Sequence, residues 1–166
     1  MKLELKNIKV HLGLSHETHA FTANLYVDGK KTLEISNDGQ GGADYQDEVA
    51  DLSVREINNW CKANLPTWWL SEIGGTRSVD EEFETNLETW CHEQVNKDLM
   101  RKEYLKLARS KVVFIDDDQV FTQSFKGVKK YQPQMSDTCL KMYPNAVVLN
   151  RLVVDEAVEL FREYSK

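Results

Sequence analysis

Apolar and polar residues alternate from the start of the chain. Leu3 and Leu5 fall in one phase, and Ile8, Val10, Leu12 and Leu14 fall in the other. A strand whose phase flips once, around Lys6-Asn7, predicts a bulge there, because one inserted residue moves every later side chain to the opposite face. Gly13 to His16 reads as a turn. Phe21, Ala23, Leu25 and Val27 then alternate strictly with Thr22, Asn24 and Tyr26. That run ends at Asp28-Gly29, a dipeptide suited to a turn in which both residues take positive φ. Leu33 and Ile35 resume the pattern beyond it, so a hairpin over about 19–36 is predicted. With the first strand it forms a three-stranded antiparallel meander.

The periodicity then changes. Ser36-Asn37-Asp38-Gly39-Gln40-Gly41-Gly42 is a loop, rich in residues that tolerate left-handed backbone. A helix is predicted from about Tyr45 to Ala63, with Val49, Leu52, Ile57, Trp60 and Cys61 on its apolar side and Pro66 beyond its end. Trp68-Trp69-Leu70 and Ile73-Gly74-Gly75 read as a connection. A second helix is expected from Ser78, where Glu81 three residues on would complete a capping box. Phe83, Leu87, Trp90, Cys91, Val95, Leu99 and Met100 recur at helical spacing, and the pattern runs on to Ala108, a length that leaves a break near Asn96 open. Lys111 to Ile115 is a strand, Asp116-Asp117-Asp118 a turn, and Gln119 to Phe125 the return strand. A short helix near Ser136–Met142, an apolar run Val147-Val148-Leu149 and a helix over Val154–Tyr164 complete the chain. The fold class expected is α+β, as a single domain over 1–166: a three-stranded meander packed with two main helices, a second β-hairpin and a C-terminal helix.

Composition narrows the setting. The chain has 166 residues, 41% hydrophobic and 29% charged, which suits a globular domain with a real core. No apolar run approaches the ~18 residues a membrane span needs. Charges interrupt the first residues, so no signal-peptide apolar region is read there. Cys61, Cys91 and Cys139 are few and widely spaced, which points to free thiols in a reducing cytosol. The net charge of −6 is unevenly placed: Asp38 to Glu93 holds 13 acidic and 3 basic residues. Such a middle disfavours nucleic acid, whose phosphates call for Lys and Arg. It suits a partner protein with a basic surface.

The loop Asn37, Asp38, Gly39, Gly41 and Gly42 offers successive backbone amides that could cradle an anion. It lacks the Gly-Lys-Ser/Thr ending of a P-loop and follows a hairpin strand instead of opening a βαβ unit. Its plainer reading is a strand-to-helix connection. His16-Glu17-Thr18-His19 places its histidines three apart in a turn, where a zinc-protease helix needs four, and the cysteine spacing does not suit zinc. Asp116 to Asp118 lacks the alternate acidic positions of a calcium loop and reads as a solvated turn. Cys91 and His92 are adjacent, about 100° apart on a helix, so they do not form a nucleophile and base. No Gly-x-Ser-x-Gly occurs. Asp80, Glu81, Glu82 and Glu84 at the start of the long helix, with Arg101, Lys102, Lys106 and Arg109 at its end, would complement its dipole. Trp68-Trp69 is either core packing or a partner-binding hot spot.

Leu5-Lys6-Asn7-Ile8-Lys9-Val10, the run Glu17 to Lys31 and Ser36 to Gly42, together with Val148-Leu149-Asn150 and the acidic helix after it, form a pattern that resembles small uncharacterised proteins of phages and prophages. The resemblance implies a mobile-element origin. It implies an adaptor or inhibitor of host machinery, including anti-defence proteins of the anti-CRISPR kind, and carries no active-site residues. The functional expectation is therefore a non-enzymatic protein acting by protein–protein binding in the host cytosol, through Trp68, Trp69, Asp80, Glu81 and Glu84. No cofactor or metal is expected, and a homodimer stays open. The alternative is a small-ligand or nucleotide-binding protein using the loop at 37–42.

Overall fold

Antiparallel pairing builds the sheets of this computed structural model, which describes residues 1–70 and 81–165. The residues fall into two compact units, 1–96 and 97–166.

In the first unit, β1 (Leu3–Val10), β2 (Phe21–Val27), β3 (Lys30–Asn37) and β4 (Tyr45–Glu48) form a four-stranded sheet in that order. The bulge expected in β1 is present. Its register with β2 shifts between Lys6 and Lys9, and Asn7 takes a φ of 56°. The hairpin between β2 and β3 turns at Asp28 and Gly29, with φ of 49° and 83°. Phe21, Ala23, Leu25 and Val27 are all buried, so the alternation read from the sequence marks one core-facing side of β2.

The fourth strand corrects the expected helix from Tyr45. Tyr45-Gln46-Asp47-Glu48 pairs with Leu33 to Ser36, and the helix α1 begins only at Val54 and runs to Asn64. Its start is set by a capping box. Ser53 Oγ accepts from Glu56 N, and Ser53 N donates to Glu56 Oε2 at 3.0 Å. Val49 and Leu52, read as helical apolar positions, lie before that cap, and Val49 is exposed.

Two further expectations change. Trp68-Trp69-Leu70, read as a connection, is strand β5 (Trp68–Leu70), paired with β6 (Glu81–Phe83) so that Trp68 opposes Phe83 and Trp69 opposes Glu82. The helix expected from Ser78 starts later, as α2 (Leu87–Ala108). Ser78 lies outside the described residues, and its supposed capping partner Glu81 is in a strand. Asn86 does the capping: Thr89 N donates to Asn86 Oδ1 at 2.8 Å, and Asn86 N donates to Thr89 Oγ1 at 3.0 Å. The break left open near Asn96 does not occur: α2 is one unbroken helix of 22 residues. Its buried residues change phase along its length. Leu87, Cys91 and Val95 recur at four in the first unit, whereas Tyr104, with Met100, Leu107 and Ala108 packed beside it, belongs to the second unit's core.

The second unit is a three-stranded sheet between helical layers. Strand β7 (Val112–Asp116) lies between β8 (Gln119–Gln123) and β9 (Val147–Val148). Val112 and Phe114 pack on one face with Met135 and Cys139 of α3 (Pro133–Met142). Val113 and Ile115 pack on the other with Tyr104 and with Ala157, Val158 and Phe161 of α4 (Val154–Tyr164). Burial on both faces is why 112–115 reads as a continuous apolar run. Asn150 ties the layers together: its Oδ1 accepts from Val113 N at 2.7 Å, and its Nδ2 donates to the carbonyls of Ala108 and Lys111. Asp117 and Asp118 make the β7–β8 turn with φ of 45° and 57°, the turn role read for them. Among the described residues, no helix is long and apolar enough to cross a membrane.

Candidate functional site

Two sequence features weighed separately, the glycine loop and the His16–His19 turn, meet in the structure. The carbonyl oxygen of Gly39 accepts from the backbone N–H of His16 and Glu17, both at 3.0 Å, and of Thr18 at 3.4 Å. Gly39 needs its positive φ of 84° to present that carbonyl. The loop's own amides are occupied in the same arrangement. Gly39 N donates to Asn37 Oδ1, Gln40 N to Asp38 Oδ1 and Gly41 N to Thr18 Oγ1. An anion nest needs those N–H groups free; here they hold the loop to its neighbours.

Asn37 is the hub. It is buried at the end of β3. Its Oδ1 also accepts from Thr18 Oγ1 at 2.9 Å, and its Nδ2 donates to the carbonyl of Gly42 and to Asp44 Oδ1 at 2.9 Å. The loop thereby fixes Asp44, whose side chain has 0% exposure.

Helix α2 supplies the facing residues. Glu88, His92 and Asn96 are four apart, so they form one stripe along it. Glu88 Oε1 accepts from Asp44 N at 3.1 Å, His92 Nε2 donates to Asp44 Oδ1 at 2.8 Å, and Asn96 Oδ1 lies 2.9 Å from His19 Nε2. His92 also meets the ring of Phe21 edge-on at 5.7 Å. Hydrogen bonding to Asp44 pushes the imidazole pKa up. Burial opposes this, and the negative charges of Asp44 and Glu88 add to the rise. His16, Glu17, Thr18, His19, His92 and Asn96 line an open cleft of about 490 Å³ beside this cluster.

Asp44, Glu88 and His92 offer ligand atoms that all lie within 4.8 Å of one another. None of the three was singled out as a site from the sequence. His92 is read from the sequence only as a neighbour of Cys91. The i, i+4, i+8 stripe was the available signal for the helical residues; the closure of the loop that brings Asp44 to them has no local signature.

All three cysteines are free and buried. Burial pushes the Cys61 thiol up to about 11 and the Cys139 thiol above its ordinary value. Burial pushes the Cys91 thiol well up, and the negative charge of Asp44 raises it further.

The partner-binding residues expected from the sequence fall around two short paired strands. Trp68 and Trp69 are on β5 and Glu81 is on β6. Glu84 follows β6, exposed, with its carboxylate 3.4 Å from Lys62 Nζ. Asp80 lies outside the described residues. No family model matches the chain, and neither a curated protein nor a solved structure matches it.

Proposed function

We propose that this protein acts by binding another protein, that the acidic stretch at β5 and β6 is its contact surface, and that the partner presents a basic face. The observation that carries this reading is the position of the acidic residues. Glu81 and Glu82 belong to β6 and Glu84 follows it, whereas the helix starts at Leu87 with Glu88 in its first turn. Their charge is therefore not spent on a helix dipole, which was the simpler account of it. Glu84 keeps 65% of its side chain exposed, and its ion pair with Lys62 is of the exposed kind that contributes little to stability. The first unit holds 17 acidic against 8 basic residues, which favours fast encounter with a positive surface. Two tryptophans on the paired strand add the residue type that most often anchors a protein interface.

The resemblance to phage and prophage proteins suggests that the partner is a host protein or complex in the cytosol, and that binding inhibits it, in the manner of an anti-defence protein. Such an action needs no catalytic group. The raised thiol pKa values fit it, because they leave no ready cysteine nucleophile. Affinity capture from a bacterial lysate tests the reading. A host protein should be retained by the wild type and reduced at least ~10-fold with Trp68→Ala/Trp69→Ala, a loss equivalent to about 1.4 kcal/mol. Equal recovery by both, or no specific protein with either, would count against it.

A second reading is favoured by the cleft beside the glycine loop: a small polar ligand held by His16, Glu17, His19 and His92. A nucleotide and metabolite thermal-shift screen separates the two, since only this reading expects a rise in Tm that Gly41→Val removes.

A further inference from the structure

We propose that Asp44, Glu88 and His92 bind one divalent cation of the class that accepts imidazole, such as Zn2+ or Mn2+. Three ligand atoms within 4.8 Å of one another are a starting point only, since acidic groups often gather without an ion. The independent observation is the state of Asp44. Its side chain is fully buried, its Oδ1 takes hydrogen bonds from both Asn37 and His92, and its Oδ2 is buried with no hydrogen-bond partner. A carboxylate can only accept, so a buried and unmatched oxygen calls for a donor or a cation. Glu88 and His92 stand beside it, and among the described residues no donor reaches that oxygen.

The surroundings have the layout of a metal site. Glu88 and His92 are one helical turn apart, the spacing that brings two ligands of α2 to one point. Asp44 arrives from the loop, oriented by the Asn37 amide, which is itself held by Thr18 and Gly42. The Phe21 ring braces His92. Uptake of the ion displaces the proton that His92 Nε2 donates to Asp44, and the two carboxylates and the neutral imidazole then sum to −2, matching a divalent ion. One nitrogen and two oxygen donors favour Zn2+ or Mn2+ over Mg2+ and Ca2+, which take oxygen alone. His92 retains 34% side-chain exposure and lines the cleft, so an ion has a route in from solvent. Three protein ligands leave a coordination position open.

The test uses the full chain, stripped with a chelator and titrated with Zn2+, Mn2+ and Mg2+ by calorimetry, with Tm recorded in parallel. The expected result is saturable uptake of one Zn2+ or Mn2+ per chain, a raised Tm, and at least ~10-fold weaker binding of Mg2+. Glu88→Gln and His92→Asn should each lose that uptake while keeping the native circular dichroism spectrum. Asn37→Ala should weaken it about 10- to 100-fold, as loss of an outer-shell partner does. His16→Asn/His19→Asn should leave it unchanged. The proposal is overturned if the wild type takes up no ion. It is equally overturned if Glu88→Gln and His92→Asn bind as the wild type does, or if the His16/His19 variant is the one that loses the ion.

Discussion

At the scale of single residues, the loop between β3 and β4 is governed by two glycines with different tolerances. Gly39 and Gly41 both hold a φ near +83°, strained for any other residue. A Cβ on Gly39 would collide with the backbone carbonyl of Leu14 and meet Ala20 Cβ at 3.0 Å, whereas a Cβ on Gly41 would meet the Glu17 side chain alone, its movable carboxylate and, at 3.3 Å, its Cβ. Gly39→Ala should therefore cost roughly 2–3 kcal/mol, and Gly41→Ala about 1 kcal/mol, the left-handed strain alone. Urea denaturation of the two variants checks this, and equal losses would contradict it. The same comparison shows what the sequence holds and what it hides. The glycines announce a special backbone, whose plainer reading is a strand-to-helix connection and whose alternative is a binding loop; the loop joins two strands. Their role is to fold the loop back onto His16 to Thr18 and to fix Asn37 and Asp44. Those contacts join positions far apart in the chain, and no spacing rule within the loop could foretell them.

At the scale of elements, legibility followed the number of buried faces. Strand β2 has one, so its alternation located it. Strand β7 has two, so its apolar run did. The C-terminal helix α4 buries Ala157, Val158 and Phe161 at helical spacing and falls where it was expected. Strand β4 has the sequence Tyr45-Gln46-Asp47-Glu48, with none of these residues buried, and so gave no periodic signal. The helix read over it was drawn from Val49 and Leu52, which are not helical. The true start of α1 is chemical, in Ser53 and Glu56. Ser53→Ala should lower stability by about 1 kcal/mol. The Glu56 pKa is lowered by its bonds to the Ser53 side chain and backbone. A lowered folded pKa means that the box contributes above the ordinary glutamate range and is lost as pH falls through the lowered value. Amide NMR of Ser53 and Glu56 should show the α1 start loosening on that acid side, with the effect absent in Glu56→Gln. Loosening on the alkaline side would refute the assignment.

At the scale of the whole molecule, the net charge conceals a division. Residues 1–96 hold 17 acidic and 8 basic side chains, while residues 97–166 hold 10 acidic and 13 basic. The sequence made the acidic middle visible and then explained it away, by placing Glu81, Glu82 and Glu84 at the end of a helix. Strand β6 takes Glu81 and Glu82 out of the helix, and Glu84 after it is exposed. The proposed binding to a basic partner rests on this stretch, and that proposal predicts a dependence on ionic strength. The most direct test is the salt dependence of capture from a bacterial lysate, for the wild type and for Glu81→Lys/Glu84→Lys. The account predicts that one host protein is retained at low salt, falls away as ionic strength rises through the physiological range, and is absent with the charge-reversed variant, whose circular dichroism stays native. Retention of that protein at all salt concentrations by both forms would contradict it.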